Sequence, residues 1–296
     1  MTKLAQLLFI LLFTITAQSQ TKKFKVVLDA GHGGKDYGAT YHGNIEKKIS
    51  LNTVLKVGEI LAKESNIEVV YTRKTDVFVE LNERANIANK SKGHLFVSMH
   101  CNANDNQAAA GNETYVMGVT RNAANLEVAK KENAVVTLES DYKIKYDGFD
   151  PKSPESVMGI SIMQEENIQQ SIDIAGKVQQ AFTKFTTSKN RGVKQAGFLV
   201  LRKIIMPRVL IEMGFVSNKD EGAFLNSTDG QNKLAEAISK AILEYRNDFF
   251  KLETPVAPKK DEPKKETTKK DEPKKSDVKH STDNKTAIDG VIFKVQ

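Results

Sequence analysis

Four side chains in this sequence are of the types that combine in metal-assisted hydrolysis: His32, Glu46, His100 and Glu212, at successive separations of 14, 54 and 112 positions. Two imidazoles and one carboxylate make an open zinc site, because three protein donors leave the fourth tetrahedral position for water. Zinc lowers the pKa of such water towards about 7 and polarises a carbonyl. A second carboxylate, off the metal, is then needed to take a proton and pass it to a leaving amine. The four residues supply that set. Each also has an ordinary reading. Glu46 could be an acid favoured by the positive end of a helix, His32 a solvated loop residue, and His100 a satisfied histidine at a strand end. Glu212 fits an ordinary reading least, since it follows Val209-Leu-Ile211 and places a charge beside a buried strand. Gly31-His-Gly-Gly34 read as a phosphate cradle lacks both the Gly-Lys-Ser/Thr ending and the GxGxxG spacing. His42 and His94 do not share the placement of the two candidate ligands, and His280 lies in the tail.

The elements that must bring the four together are legible from pattern. Residues 25–30 read as a buried strand, and Asn44 as the cap of a helix whose apolar face is Ile49, Leu51, Leu55, Gly58, Leu61 and Ala62. Residues 67–72 read as a strand, 81–90 as a helix and 94–99 as a strand. This alternation predicts an α/β fold: a mostly parallel twisted sheet with helices on both faces. Ligands of such sheets bind beyond the carboxyl ends of the strands. His32 falls just past the first strand, Glu46 in the first turn of the next helix, and His100 at the end of the third strand. Glu212 falls near the end of a strand over 207–213. One edge collects all four. After Gly111 the rhythm loosens into a strand over 113–119, a helix over 122–140, irregular chain over 141–156 and a helix over 162–185. A strand over 197–201 and closing helices capped by Asn218 complete the reading.

The chain has 296 residues, and both ends differ from its middle. Met1-Thr-Lys3, an apolar run over 4–17 and the small residues of Ala17-Gln-Ser19 have the layout of a secretory signal peptide, 1–20. The run is short for a membrane span, which needs about 20 apolar residues. Residues 251–296 repeat Asp-Glu-Pro-Lys-Lys at 261 and 271 and read as a disordered linker ending in a short segment. Three uses of that end stay open: a sticky terminus, a partner-binding strand, or the stump of a second domain. Residues 21–250 remain for a single catalytic domain carrying an insertion at about 111–190. The formal charge is +7, of which that domain holds +3, so nucleic acid is disfavoured as a partner. A single cysteine excludes a disulfide framework and a Cys-rich zinc site.

Leu28-Asp-Ala-Gly-His-Gly-Gly-Lys-Asp-Tyr-Gly-Ala39, Glu46, Ser98-Met-His-Cys-Asn-Ala103 and Leu210-Ile-Glu-Met-Gly-Phe-Val-Ser-Asn218 together resemble the zinc-dependent N-acetylmuramoyl-L-alanine amidases of the cell-separation type. The likeness spans about residues 25–250. It implies Zn2+ held by His32, Glu46 and His100, with Glu212 as the catalytic acid–base residue. It implies peptidoglycan as substrate, cut between the lactyl group of N-acetylmuramic acid and the L-alanine of the stem peptide. The leader predicts an exported enzyme, periplasmic or secreted, without a stable membrane anchor after signal cleavage, and the chain is expected to act as a monomer. Division-associated members carry a helical insertion that covers the zinc until a partner removes it. Here that regulatory lid would be 141–170, with 163–170 as its helix and Glu165 or Glu166 at the open zinc position. A plain groove wall is the competing reading of the same segment. A catalytically inactive wall-binding or activator protein of the same fold is the alternative for the whole chain.

Overall fold

The computed structural model describes residues 23–120, 122–160 and 167–253. The expected signal peptide 1–20, most of the expected linker 251–296, and Glu165 and Glu166 lie outside the described residues. Six strands form one sheet in the order β4-β1-β5-β8-β6-β7. They are β1 (Phe24–Ala30), β4 (Ile67–Tyr71), β5 (Leu95–Asn102), β6 (Asn112–Met117), β7 (Asn190–Ala196) and β8 (Arg208–Phe215). The four strands β4, β1, β5 and β8 run parallel, whereas β6 pairs antiparallel with β8 and parallel with β7. A two-stranded ribbon, β2 (Thr40–Tyr41) and β3 (Asn44–Ile45), stands apart from this sheet.

The period-2 alternation of strands sorts their side chains into two cores. Val26, Leu28, Leu95, Val97, Met99, Val209 and Ile211 pack on one face against α1 (Glu46–Leu61), α6 (Ile168–Phe185) and α9 (Thr228–Glu253). Val27, Phe96, Tyr115 and Leu210 pack on the other against α2 (Leu81–Ser91), α3 (Ala123–Asn133), α5 (Pro154–Ile160) and α7 (Leu199–Arg202). A 3₁₀ turn over Ala134–Leu138 and the short α4 (Tyr142–Lys145) follow α3, and α8 (Lys219–Asn226) precedes α9. On the second face the alternation also buries Asp29, Ser98, His100, Glu113 and Glu212. Among the described residues, no helix is long and apolar enough to cross a membrane.

Several sequence expectations shift. The strand expected over 197–201 is instead the helix α7, and the strand lies upstream at Asn190–Ala196. Its sequence, Asn-Arg-Gly-Val-Lys-Gln-Ala, has no apolar alternation because β7 is a half-exposed edge strand. Asn44 does not cap α1: it belongs to β3, and Ile45 occupies the cap position without a side-chain bond. Asn218 does cap α8, accepting from the Glu221 backbone N–H at 3.0 Å. The helix expected over 122–140 divides into α3 and the 3₁₀ turn, and the one expected over 162–185 is described from Ile168.

Candidate metal centre

The first donor, His32, follows β1 in a left-handed backbone conformation (φ 60°), which a non-glycine residue adopts only when its surroundings demand it. Its Nδ1 pairs with Asp36 Oδ2 at 2.7 Å. That contact fixes the ring and turns Nε2 towards Glu46 and His100, the way a ligating histidine is usually oriented. Gly31 sits directly under the His100 ring: a Cβ there would lie 2.4 Å from His100 Cε1. Gly38 has φ +65°, and a Cβ on it would lie 2.6 Å from Glu46 Oε2. Glu46 opens α1. Its Oε1 accepts from the Cys101 N–H at 2.8 Å and its Oε2 from the Ala39 N–H at 2.8 Å. His100 projects from β5 in register with Glu212 on β8, and Glu113 on β6 stands opposite Glu212 on the far side.

The sheet edge thus brings together the residues that sequence reasoning selected, and it adds one. His32 Nε2 lies 3.0 Å from Glu46 Oε1 and 3.2 Å from His100 Nδ1, and His100 Nδ1 lies 3.2 Å from Glu46 Oε1. The additional donor is Glu132 on α3, with Oε2 at 2.8 Å from His100 Nδ1 and 3.4 Å from His32 Nε2. All four donor atoms fall within 4.8 Å of one another. A tetrahedral zinc with bonds of 2.0–2.1 Å needs ligand–ligand edges of about 3.3 Å. The observed separations cluster round that value, and the donors are the nitrogen and oxygen types zinc takes. The residues present therefore fit a zinc ion.

Among the protein groups alone, burial lowers the pKa of His32 and His100, but facing carboxylates outweigh it. His32 ends well above the ordinary histidine value because of Glu46, Asp36 and Glu132, and His100 is pushed up to about 10 by Glu132 and Glu46. Burial raises the Glu46 carboxyl, yet the two imidazoles drive it below the ordinary glutamate range. Glu212 behaves oppositely. It is 0% exposed, and neither carboxylate oxygen has a hydrogen-bond partner. Burial, reinforced by Glu132, holds its carboxyl well above the usual value. Glu212 is thus a buried, unbonded carboxyl that stands outside the cluster of four donors.

A cavity of about 460 Å³ opens on this edge, lined among others by His32, Glu46, Asn102, Lys131, Glu132 and Leu138. One wall is α3 with its 3₁₀ turn. That wall is fastened at several points: Lys131 Nζ donates to the Ala103 carbonyl at 2.9 Å, and Lys35 Nζ to the Leu138 carbonyl at 2.5 Å. Glu139 caps the start of α2, accepting from the Leu81 N–H at 3.0 Å, and is itself bonded by the Tyr146 hydroxyl at 2.8 Å. Sequence reasoning missed Glu132. It sits in the mixed-charge run Lys130-Lys-Glu-Asn133, which carries no signal apart from its place in the fold.

Comparison with known proteins agrees with this edge. Residues 26–244 match the family model Amidase_3, described as N-acetylmuramoyl-L-alanine amidase. The chain belongs to that amidase family. It is 35% identical over 238 residues to an endolysin of Bacillus phage SPP1, a match that covers 80% of this chain and 71% of the endolysin. It is 30% identical over 229 residues to the N-acetylmuramoyl-L-alanine amidase AmiC of Escherichia coli O6:H1, covering 74% of this chain but only 52% of that protein. Among solved structures, the amidase AmiC2 of Nostoc punctiforme superposes with a TM-score of 0.56 at 31% identity, over 77% of this chain and 99% of that one. The catalytic domain of the amidase CwlV from Bacillus (Paenibacillus) polymyxa gives 0.55 at 31% identity, over 75% and 98%. The amidase fold accounts for the mixed six-stranded sheet and for the helices on both its faces.

Proposed function

We propose that this chain is a zinc-dependent N-acetylmuramoyl-L-alanine amidase. It hydrolyses the amide between the lactyl group of N-acetylmuramic acid and the L-alanine of the stem peptide, for wall remodelling or daughter-cell separation, outside the cytoplasm. The observation that carries this reading is the convergence of His32 Nε2, Glu46 Oε1 and His100 Nδ1 at tetrahedral spacing, with the unpartnered Glu212 buried beside them. His32, Glu46 and His100 would hold the metal. Zinc bound there supplies Lewis acidity that polarises the amide carbonyl and acidifies water.

The rest is the work of the chain's own residues. Asp36 keeps His32 Nδ1 engaged, so that Nε2 stays directed into the site. The N–H groups of Cys101 and Ala39 hold the Glu46 carboxylate in place. Glu212 takes the proton of the attacking water on a carboxylate oxygen as the C–O bond forms, then returns it to the alanine nitrogen as the C–N bond breaks. Release of a lactyl carboxyl end and a free L-alanine amine, identified in digested muropeptides, is the deciding test. New ends at any other bond would overturn the substrate assignment. Chelation should abolish this release and added zinc should restore it. Full activity of a preparation shown to contain no metal would refute the zinc reading.

The lid expected over 141–170 remains a proposal, and the described part of it forms α4 and α5. The acidic group on the donors is Glu132 of α3, so α3 and the 3₁₀ turn after it read as a cover that a partner protein would displace.

A further inference from the structure

Three consecutive carbonyls at the start of the metal edge, those of Ala30, Gly31 and His32, accept hydrogen bonds from two buried guanidinium groups. Arg84 on α2 donates from Nη1 to the Ala30 carbonyl at 2.7 Å and from Nη2 to the His32 carbonyl at 2.8 Å. Arg73, just beyond β4, donates from Nε to the Ala30 carbonyl at 2.9 Å and from Nη2 to the Gly31 carbonyl at 2.7 Å. The same Nη2 reaches the carbonyl of Lys47, next to Glu46, at 2.9 Å. Both side chains are deeply buried, with Arg73 3% and Arg84 2% exposed.

We propose that Arg73 and Arg84 are positioning residues for the zinc ligands: their forks clamp the backbone on either side of His32 and after Glu46, so that the two donors face each other. This rests on the zinc reading given above. Three observations support it.

The first is conformational. His32 is held at φ 60°, and such a conformation persists only when its surroundings over-determine it. The Arg84 bond to its carbonyl and the Asp36 bond to its ring grip it from opposite ends.

The second is charge. Asp29, fully buried, takes Arg84 Nη1 at 2.7 Å and the hydroxyls of Thr72 and Ser98 at 2.6 Å each. Asp76 and Asp36 add attraction at Arg73, yet burying two guanidinium groups is a costly device for stability alone, because charge is desolvated. Burial and then the neighbouring Arg84 pull Arg73 down to about 10.

The third is geometry. A planar guanidinium holds its donors in a fixed, divergent fork that matches these separated carbonyls. A lysine ammonium, which is a point charge, cannot reproduce the pattern.

The test measures zinc affinity by chelator competition, together with melting of the zinc-free protein, for wild type, Arg84→Lys and Arg73→Lys. Partners lying outside the ligand shell typically change metal affinity by about 10–100-fold when mutated. Both variants should therefore bind zinc at least about tenfold more weakly, while still melting cooperatively without metal. In turnover, kcat should fall more than KM rises. Zinc affinity within twofold of wild type in a folded variant overturns the proposal. Loss of cooperative melting in Arg73→Lys, the milder change, overturns it too, since the pair would then be holding the fold rather than the ligands. Failure of the wild-type protein to bind zinc would instead overturn the metal reading.

Discussion

Glu212→Gln should retain zinc at wild-type stoichiometry and lose about 10²–10⁴-fold of its turnover, the usual contribution of a positioned acid–base group. The two halves of this result follow from where Glu212 stands. It is not among the four clustered donors, so the metal content has no reason to fall. Its carboxyl is buried with no bonded partner, so no neighbouring group is arranged to take over the proton. Metal analysis beside dye release from labelled peptidoglycan would check both. A variant near wild-type activity would remove Glu212 from the reaction. A variant that lost its zinc would make Glu212 a ligand.

The same burial gives a pH signature in the zinc-free protein. The folded-state pKa of Glu212 lies above its ordinary value of 4.5. Its contribution to stability is therefore complete below pH about 4.5 and is lost as pH rises to the folded value, because the folded state keeps a proton that the unfolded chain gives up. Over that window each pH unit costs about 1.4 kcal/mol. Glu212→Gln cannot ionise, so its melting temperature should fall less steeply across the same pH range. Parallel profiles for variant and wild type would contradict the buried acid.

The convergence of His32, Glu46 and His100 was legible in the sequence because an α/β fold has one functional edge. Placing His32 after the first strand, Glu46 in the next first turn, and His100 and Glu212 at strand ends puts them together without any local motif. What stayed hidden depends on packing. Glu132 lies in a lysine-rich helix that looks solvated, and only the seating of α3 across the sheet edge turns it inward. Arg73 and Arg84 stand in Thr72-Arg-Lys-Thr-Asp76 and Asn82-Glu-Arg-Ala-Asn86, which read as ordinary polar chain. Their burial follows from the Ala30, Gly31 and His32 carbonyls that they bond where the chain leaves β1. Strand β7 was misplaced for the converse reason: an edge strand needs no apolar alternation, so the apolar run of Phe198–Leu201 drew the assignment, though those residues fill the second core.

Glu132→Ala should raise amidase activity on intact sacculi by about 10–100-fold. The carboxylate of Glu132 is 2.8 Å from His100 Nδ1 and 3.4 Å from His32 Nε2, where the carbonyl of an incoming amide would have to approach. Substrate can bind only when this side chain withdraws, so the apparent affinity is scaled down by the fraction of molecules in which it has done so. The contact is an ion pair in which Glu132 Oε2 makes no hydrogen bond, and close charge pairs couple by about 1.5 kcal/mol or more. Removing that contact shifts the closed-to-open balance by about one to two orders of magnitude, which sets the expected gain. Zinc affinity should fall in the same variant if Glu132 is a fourth ligand of the closed form. Loosening the cover from its far anchor should act in the same direction. Glu139→Gln keeps the shape but weakens the charge-assisted bond to the Leu81 N–H, so it should yield a smaller gain with Glu132 intact. The groove-wall reading predicts the opposite sign for both: each change would damage a surface that guides the glycan strand, and activity would fall. Because the two readings differ in sign, one assay of the two variants separates a gate from a wall. A loss in both would end the case for a gate.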